Sequence, residues 1–235
     1  MPTAITPAWP LLSWSDGKQY SYAVTPTDRA WFIRCLWREG APAETVGHVL
    51  LQRFALLSSQ GAKYATLTDF LRAYCQPVNP RWFPGGDLTW KALAAAKKKN
   101  DTAAAENIVK RAQQRMVYSS TPIANIKPVF VKLADKILYG RSSSPAPAAT
   151  HFTMSFAEPS DTEAIALQKA KAFAEKRGLI HVPIKEGQKQ GVNWFFTGSK
   201  RPPMIRFGTT TSKALTGLFL LPWGLLIWWY KRRRR

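Results

Sequence analysis

Residues Trp31–Leu57 read WFIRCLWREGAPAETVGHVLLQRFALL, and their spacing decides the fold class. Apolar residues recur at helical intervals from Asp28 to Arg38, and the pattern stops at Glu39-Gly40, a carboxylate followed by a chain reversal. Asp28 is the expected N-cap. Pro42 fits the first turn of a second helix, which runs to about Leu57 with Val46, Val49, Leu50, Arg53 and Phe54 as its stripe. Two helices joined by a tight turn, with an acid at the joint, make this the start of a helical domain.

Reading outward, Thr66 and Asp69 form a capping-box-like start to a third helix ending at Cys75. Gln76–Asp87 is a loop rich in Pro, Gly and aromatics. Helices follow at about 102–118 and 122–138, the latter with Pro128 as an internal break and Gly140 after its end. Ser142–Ala149 is a surface loop. Ser160 and Glu163 open a further helix that stops at Gly178. Two β-like runs, Leu179–Ile184 and Val192–Thr197, flank a Gly187–Gly191 turn region. The expected class is α+β, mainly α, with a small late β element.

The 235 residues carry a net charge of +20, with ten tryptophans. Nine Lys/Arg and no acid lie between Gly198 and Arg235, which leaves 25 basic against 14 acidic side chains on residues 1–197. The main domain is therefore basic in its own right. Its partner is expected to be anionic: nucleic acid, an acidic membrane surface or a polymer such as bacterial cell wall. Cys35 and Cys75 lie on helix-like apolar stretches, where buried free thiols are the simpler reading and a disulfide the other. His48, His151 and His181 are scattered, so no metal site and no cofactor is expected.

Ala214–Tyr230, ALTGLFLLPWGLLIWWY, has no charged residue and is 17 residues long, the short end of what spans a bilayer core. Lys213 flanks it on one side and Lys231 with Arg232–Arg235 on the other, while Trp228, Trp229 and Tyr230 sit where an interfacial aromatic belt belongs. A single C-terminal transmembrane helix in a lipid bilayer is the expectation. A core helix is the plainer alternative, but it would have to release five charges directly from a core. The expected organisation is an N-terminal extension (1–27), the main domain (28–197), a basic linker (198–213), the anchor (214–230) and a basic tail (231–235). The N-terminus lacks the basic and apolar regions of a secretory signal peptide.

Glu39 carries the chemistry. An acid among tryptophans at a helix end is a candidate for a raised pKa, because desolvation disfavours its charged form, and a carboxyl still protonated near neutrality can protonate a leaving oxygen. A solvated helix-end carboxylate is the plain alternative. The residues around and after Glu39 favour chemistry: Trp31–Leu57, then TLTDFLRAYCQPVNPRWF (Thr66–Phe83), resembles the spore-cortex-lytic type of bacterial cell-wall hydrolase in Glu39-Gly40, Gln52-Arg53 and Gln76-Pro77. The loop Val78–Trp82 looks like the version in phage-encoded members. Ala149–Phe152 and Asn193–Phe196 look like the two late segments of such domains, with Trp194 where many members carry a His.

The resemblance implies a lysozyme-like domain that cuts the glycan strands of peptidoglycan, with Glu39 as the catalytic acid. Asn79, Arg81 and Trp82 are candidate sugar-groove residues, Gln76 a candidate for orienting substrate, and Tyr118 and His151 candidates behind them. Hydrolysis by the common route needs a second carboxylate about 5–9.5 Å away. Glu44, Asp69 and Asp87 are the acids that follow Glu39 along the chain through the loop, and none is compelling. One acid alone suits a lytic transglycosylase, in which the sugar's own 6-hydroxyl attacks. A peptidoglycan-cutting domain with a terminal anchor suits a bacteriophage, acting in virion membrane or host envelope during genome delivery or lysis, with other virion proteins as further partners. Nucleic acid is the disfavoured partner: Lys97–Lys99 follow an alanine-rich stretch and read as a solvated face. An inactive hydrolase-like virion protein is the remaining alternative.

Overall fold

The computed structural model describes residues 8–39, 42–61, 64–154, 162–184, 193–198 and 202–210. It is mainly helical, with two three-stranded antiparallel sheets. Helix α1 (Pro26–Arg38) starts one turn earlier than the sequence predicts, because Thr25 and not Asp28 is its N-cap. Thr25 Oγ1 accepts from the Asp28 backbone N–H, and the Asp28 carboxylate accepts from the Thr25 backbone N–H, a reciprocal cap with Pro26 entering the first turn. Asp28 is buried and does more than cap. Its carboxylate also accepts from the Tyr22 hydroxyl (2.8 Å) and from the backbone N–H and hydroxyl of Thr68 (2.8 and 2.6 Å).

Thr68 lies on α3 (Leu67–Tyr74), capped by Thr66 as expected. One carboxylate thus ties the N-termini of α1 and α3 together. Between them runs α2 (Ala43–Ser59), whose central residues are almost all buried. Gly47 on α2 lets α1 and α6 (Pro128–Leu138) approach: a Cβ there would meet Leu36 at 2.9 Å and Ile137 at 2.7 Å. Arg29 clamps Asp135 through two bonds of 2.7 and 2.8 Å, fixing α1 to α6. Pro128 does break the 122–138 run, leaving a 3-10 turn at Ile123–Asn125 before α6.

Two differences from the expected layout arise from long-range pairing. The loop predicted at Gln76–Asp87 holds two 3-10 turns (Gln76–Val78, Pro80–Trp82). It ends at an unpredicted helix, α4 (Asp87–Lys98), which pairs with α5 (Thr102–Ser120). More substantially, the boundaries drawn at 28 and 197 cut through the fold. Residues read as an N-terminal extension form β1 (Pro10–Asp16) and β2 (Lys18–Ala23), and part of the stretch read as a basic linker forms β6 (Arg206–Thr209). The sheet order is β2-β1-β6, with Leu12 opposite both Tyr22 and Phe207. Leu12, Trp14 and Val24 belong to the main core, with Ile205 and Phe207 packed against it, so burial makes these segments part of the domain.

The second sheet has the order β3-β5-β4, from β3 (His151–Met154), β5 (Asn193–Thr197) and β4 (Ile180–Val182). It separates two cores. Phe195 joins the main core, while Trp194 and Phe196 pack with Ala166, Ala170 and Ala174 of α7 (Glu163–Glu175). Successive β5 side chains point to opposite faces, so one strand serves both. No helix among the described residues is long and apolar enough to cross a membrane. The anchor and tail expected at 214–235 lie outside the described residues, as do Gly40 and the turn region 187–191.

Candidate active site

Helix α1 delivers Glu39 as its C-cap residue, with the backbone N–H still bonded to Cys35 O at 2.9 Å. The helix thus fixes the residue at its carbonyl-rich end, which disfavours a negative charge. Glu39 is only 8 % exposed. Burial raises its pKa from 4.5 to about 7, with the Cys75 thiol, donating towards the carboxylate, and the positive charge of Arg115 pulling the other way. Its backbone carbonyl accepts a 2.9 Å bond from Asn193 Nδ2, a contact spanning 154 residues and buried. β5 therefore anchors the helix end from the opposite side of the domain.

The wall behind the acid is α3 and the turn after it. Cys75 is fully buried, and burial pushes its thiol up, with Cys35 and Glu39 as its neighbours. Both cysteines are free thiols. Tyr74 is pushed up to about 12, chiefly by burial, against the pull of the Arg53 charge; the Glu39 carboxylate adds to the rise. Tyr74 also stacks on Phe70 at 5.2 Å.

The other wall is basic and aromatic. Arg38 lies over the Tyr118 ring at 3.3 Å and the Trp37 ring at 4.7 Å, and Tyr118 meets Trp37 edge-on at 5.6 Å. Arg115 lies over Trp82 at 5.2 Å. Burial depresses the Arg115 pKa, as does nearby Arg111, while Glu39 holds it up. Helix α5 packs on both 3-10 turns and on α1, and so brings the charge of Arg115 within reach of the acid and Tyr118 onto Arg38 and Trp37.

The predicted site residues divide accordingly. Tyr118 packs on Arg38 and Trp37, the two residues before Glu39, and Trp82 packs on Arg115, whose charge acts on Glu39. Gln76 is exposed at the first 3-10 turn, which α5 packs against. Asn79 is buried and occupied: Nδ2 donates to Ala73 O at 2.7 Å and Oδ1 accepts from the Arg81 N–H at 3.0 Å. It builds the loop. Arg81 holds Asp87 through bonds of 2.8 and 2.6 Å, at the surface. His151 pairs with Phe196 across the sheet, three positions along β5 from Asn193, or about 10 Å of strand. Its Nδ1 lies 3.0 Å from Thr150 Oγ1, and burial lowers its pKa to about 4, helped by the charge of Arg53. The sheet accounts for its place. Trp194 is buried in the smaller core beside His181.

The other nearby-in-sequence acids are committed elsewhere. Glu44 pairs with Lys136 at 3.0 Å, Asp69 bonds Thr66 at 2.7 Å, and Asp87 holds Arg81. Among the described residues no cluster of three His, Cys, Asp or Glu could hold a metal ion. Two cavities of about 350 and 340 Å³ lie away from Glu39, one under Trp14 and Arg206 and the other beside His48 and Ser142. The residues around Glu39 that sequence reading missed are Tyr74, Cys75, Arg115 and Asn193. Tyr74, Cys75 and Asn193 lie within the segments that carry the family resemblance, with no site role read for them there; Arg115 carries no local signal. Comparison with protein-family models, curated proteins and solved structures found no match to this chain.

Proposed function

We propose that the chain cleaves the glycan strand of peptidoglycan between N-acetylmuramic acid and N-acetylglucosamine, as a lytic transglycosylase, with Glu39 as acid and then base. One observation carries the reading: Glu39 is a buried carboxyl with a pKa raised to about 7, within reach of the charge of Arg115, which itself lies over the Trp82 ring. An acid whose pKa lies near the working pH is suited to both giving and taking a proton. Glu39 protonates the leaving glycosidic oxygen as the bond to the muramyl C1 breaks. The muramyl 6-hydroxyl then bonds to C1, and its proton passes to the Glu39 carboxylate, which restores the acid. The product is a 1,6-anhydro sugar end.

The commitment of Glu44, Asp69 and Asp87 to other partners supports the route that needs a single carboxylate. Trp82 and Trp37 offer ring faces of the kind on which pyranose rings stack, and the sequence resemblance supports the same substrate. The membrane anchor at 214–230 and a phage setting belong to this proposal as well. Flotation of the full chain, but not of residues 1–210, with lipid vesicles is the expected outcome for the anchor.

Murein zymography tests the chemistry. The wild-type chain is expected to clear the gel and Glu39→Gln to lose about 10³-fold or more of the activity. Mass spectrometry of the released fragments should give 1,6-anhydro ends. Hydrated reducing ends alone would sink the transglycosylase route and leave a muramidase.

A further inference from the structure

The charge of Arg115 acts on the Glu39 carboxyl, and neither Arg115 nor Arg38, the residue before Glu39, has a salt-bridge partner among the described residues. Elsewhere arginines near acids take them: Arg29 holds Asp135 and Arg81 holds Asp87. Arg38 and Arg115 instead lie on aromatic faces, at 3.3 Å from the Tyr118 ring and 5.2 Å from the Trp82 ring. A guanidinium held against a ring keeps its N–H edge free, and that edge matches a planar carboxylate in a two-bond fork. Arg38 has two rings, Tyr118 and Trp37, around it. Arg115 has one, and it is half-buried on the α5 face that packs against the turn carrying Trp82. An anion meeting Arg115 is therefore partly shielded from water, where a charge-assisted bond is stronger than on an open surface.

We propose that Arg115 reads a carboxylate carried by the muramyl residue beside the bond that Glu39 cleaves. The inference rests on the glycan-cleaving reading of Glu39. Muramic acid presents such a group in two forms: the lactyl carboxylate itself where the peptide is absent, and the free acids of the stem peptide where it is present. The shared chemistry is a planar anion within reach of the reacting sugar. Arg115 thus selects muramyl strands over neutral polysaccharides that stack equally well on tryptophan.

Binding separates this from cleavage. The full chain carrying Glu39→Gln is titrated against purified sacculi, untreated and with their carboxyls amidated by carbodiimide chemistry. Adding Arg115→Gln is expected to weaken binding to untreated sacculi about tenfold, the scale of losing a charge-assisted hydrogen-bond pair. The same change should have no effect on amidated sacculi. Arg111→Gln, an equal charge loss on the same helix, should cost less than twofold on either. Arg115→Lys keeps charge and stem but not the fork, and is expected to lose less than Arg115→Gln; circular dichroism confirms that each variant is folded.

Equal losses for Arg111→Gln and Arg115→Gln, a loss that survives amidation, or no loss at all would overturn the proposal. Glycan strands stripped of peptide assign the source. An Arg115 effect that persists there belongs to the lactyl carboxylate, and one confined to peptide-bearing strands belongs to the stem. The two readings fail separately: a wild-type chain that clears no murein sinks the chemistry of Glu39, whereas indifference of binding to Arg115 sinks only this inference.

Discussion

Glu39 costs the fold stability in proportion to its ionisation. Its carboxyl is protonated more readily in the folded chain (pKa about 7) than in the unfolded one (4.5), so its contribution to stability is fully present below about pH 4.5. That contribution is lost as the pH rises through 7, to a total of about 3 kcal/mol. Glu39→Gln removes the titration. Between pH 5 and about 7 the melting temperature of this variant is expected to gain on the wild type and then to hold a constant lead up to pH 8.5, and parallel curves throughout would show that the carboxyl is not desolvated. His48 and His151 run the other way: burial lowers both from 6.5 to about 4, so their contribution is present above 6.5 and lost as the pH falls through 4. Asp28 is the second residue on which much depends, since its buried carboxylate accepts five hydrogen bonds. Asp28→Asn turns one acceptor oxygen into a donor facing donors and should cost about 3 kcal/mol in urea unfolding. Of the site residues, Glu39 was legible because a helix stop beside tryptophans is a local pattern. Asn193 and Arg115 reach it from 154 and 76 positions away, and no spacing rule spans that distance.

At the scale of elements, local codes were readable and pairings were not. α1, α2, α3 and α7 follow from helical periodicity and from caps a few residues long, such as Thr66 with Asp69, although α7 is capped by Thr162 and its expected start at Ser160 lies outside the described residues. Pro128 marked its own break. α4 escaped notice because its alanine-rich stretch buries only Thr89 and Ala96, too little to leave an apolar stripe. β1 shows the converse: Leu12 and Trp14 alternate with polar residues, but the partner that makes the run a central strand lies at the far end of the chain. The junction of α6 with β6 offers a test. Gly140 has φ +66°, and a Cβ there would meet Phe207 Cβ at 2.5 Å; Gly178 has φ +61° with open space around it. Gly178→Ala is expected to cost about 1 kcal/mol, the backbone penalty alone. Gly140→Ala should cost about 2 kcal/mol more, because Phe207 must move. Equal losses in chemical denaturation would mean that β6 yields without cost.

Across the described residues, the first and last strands lie in one sheet. Trp9 and Thr210 bond through both backbone and side chain, and Pro10 faces Thr209. Residues 1–210 are expected to unfold in one cooperative transition, whereas residues 1–197, the boundary suggested by composition, leave Leu12 and Trp14 without β6 and its Phe207. That shorter chain should melt at least 5 °C lower, for a loss of about 2 kcal/mol or more. The adjacent ends also set how the body responds to a pull. If residues beyond 210 are held in a bilayer while the N-terminal side is dragged away, the load falls on Trp9–Thr210 first, then on Pro10–Thr209 and on each pair in turn. The hydrogen bonds open one by one like a zip, not together in shear. The sheet that completes the core would then be its weakest seam under tension, although at rest it is part of what closes it.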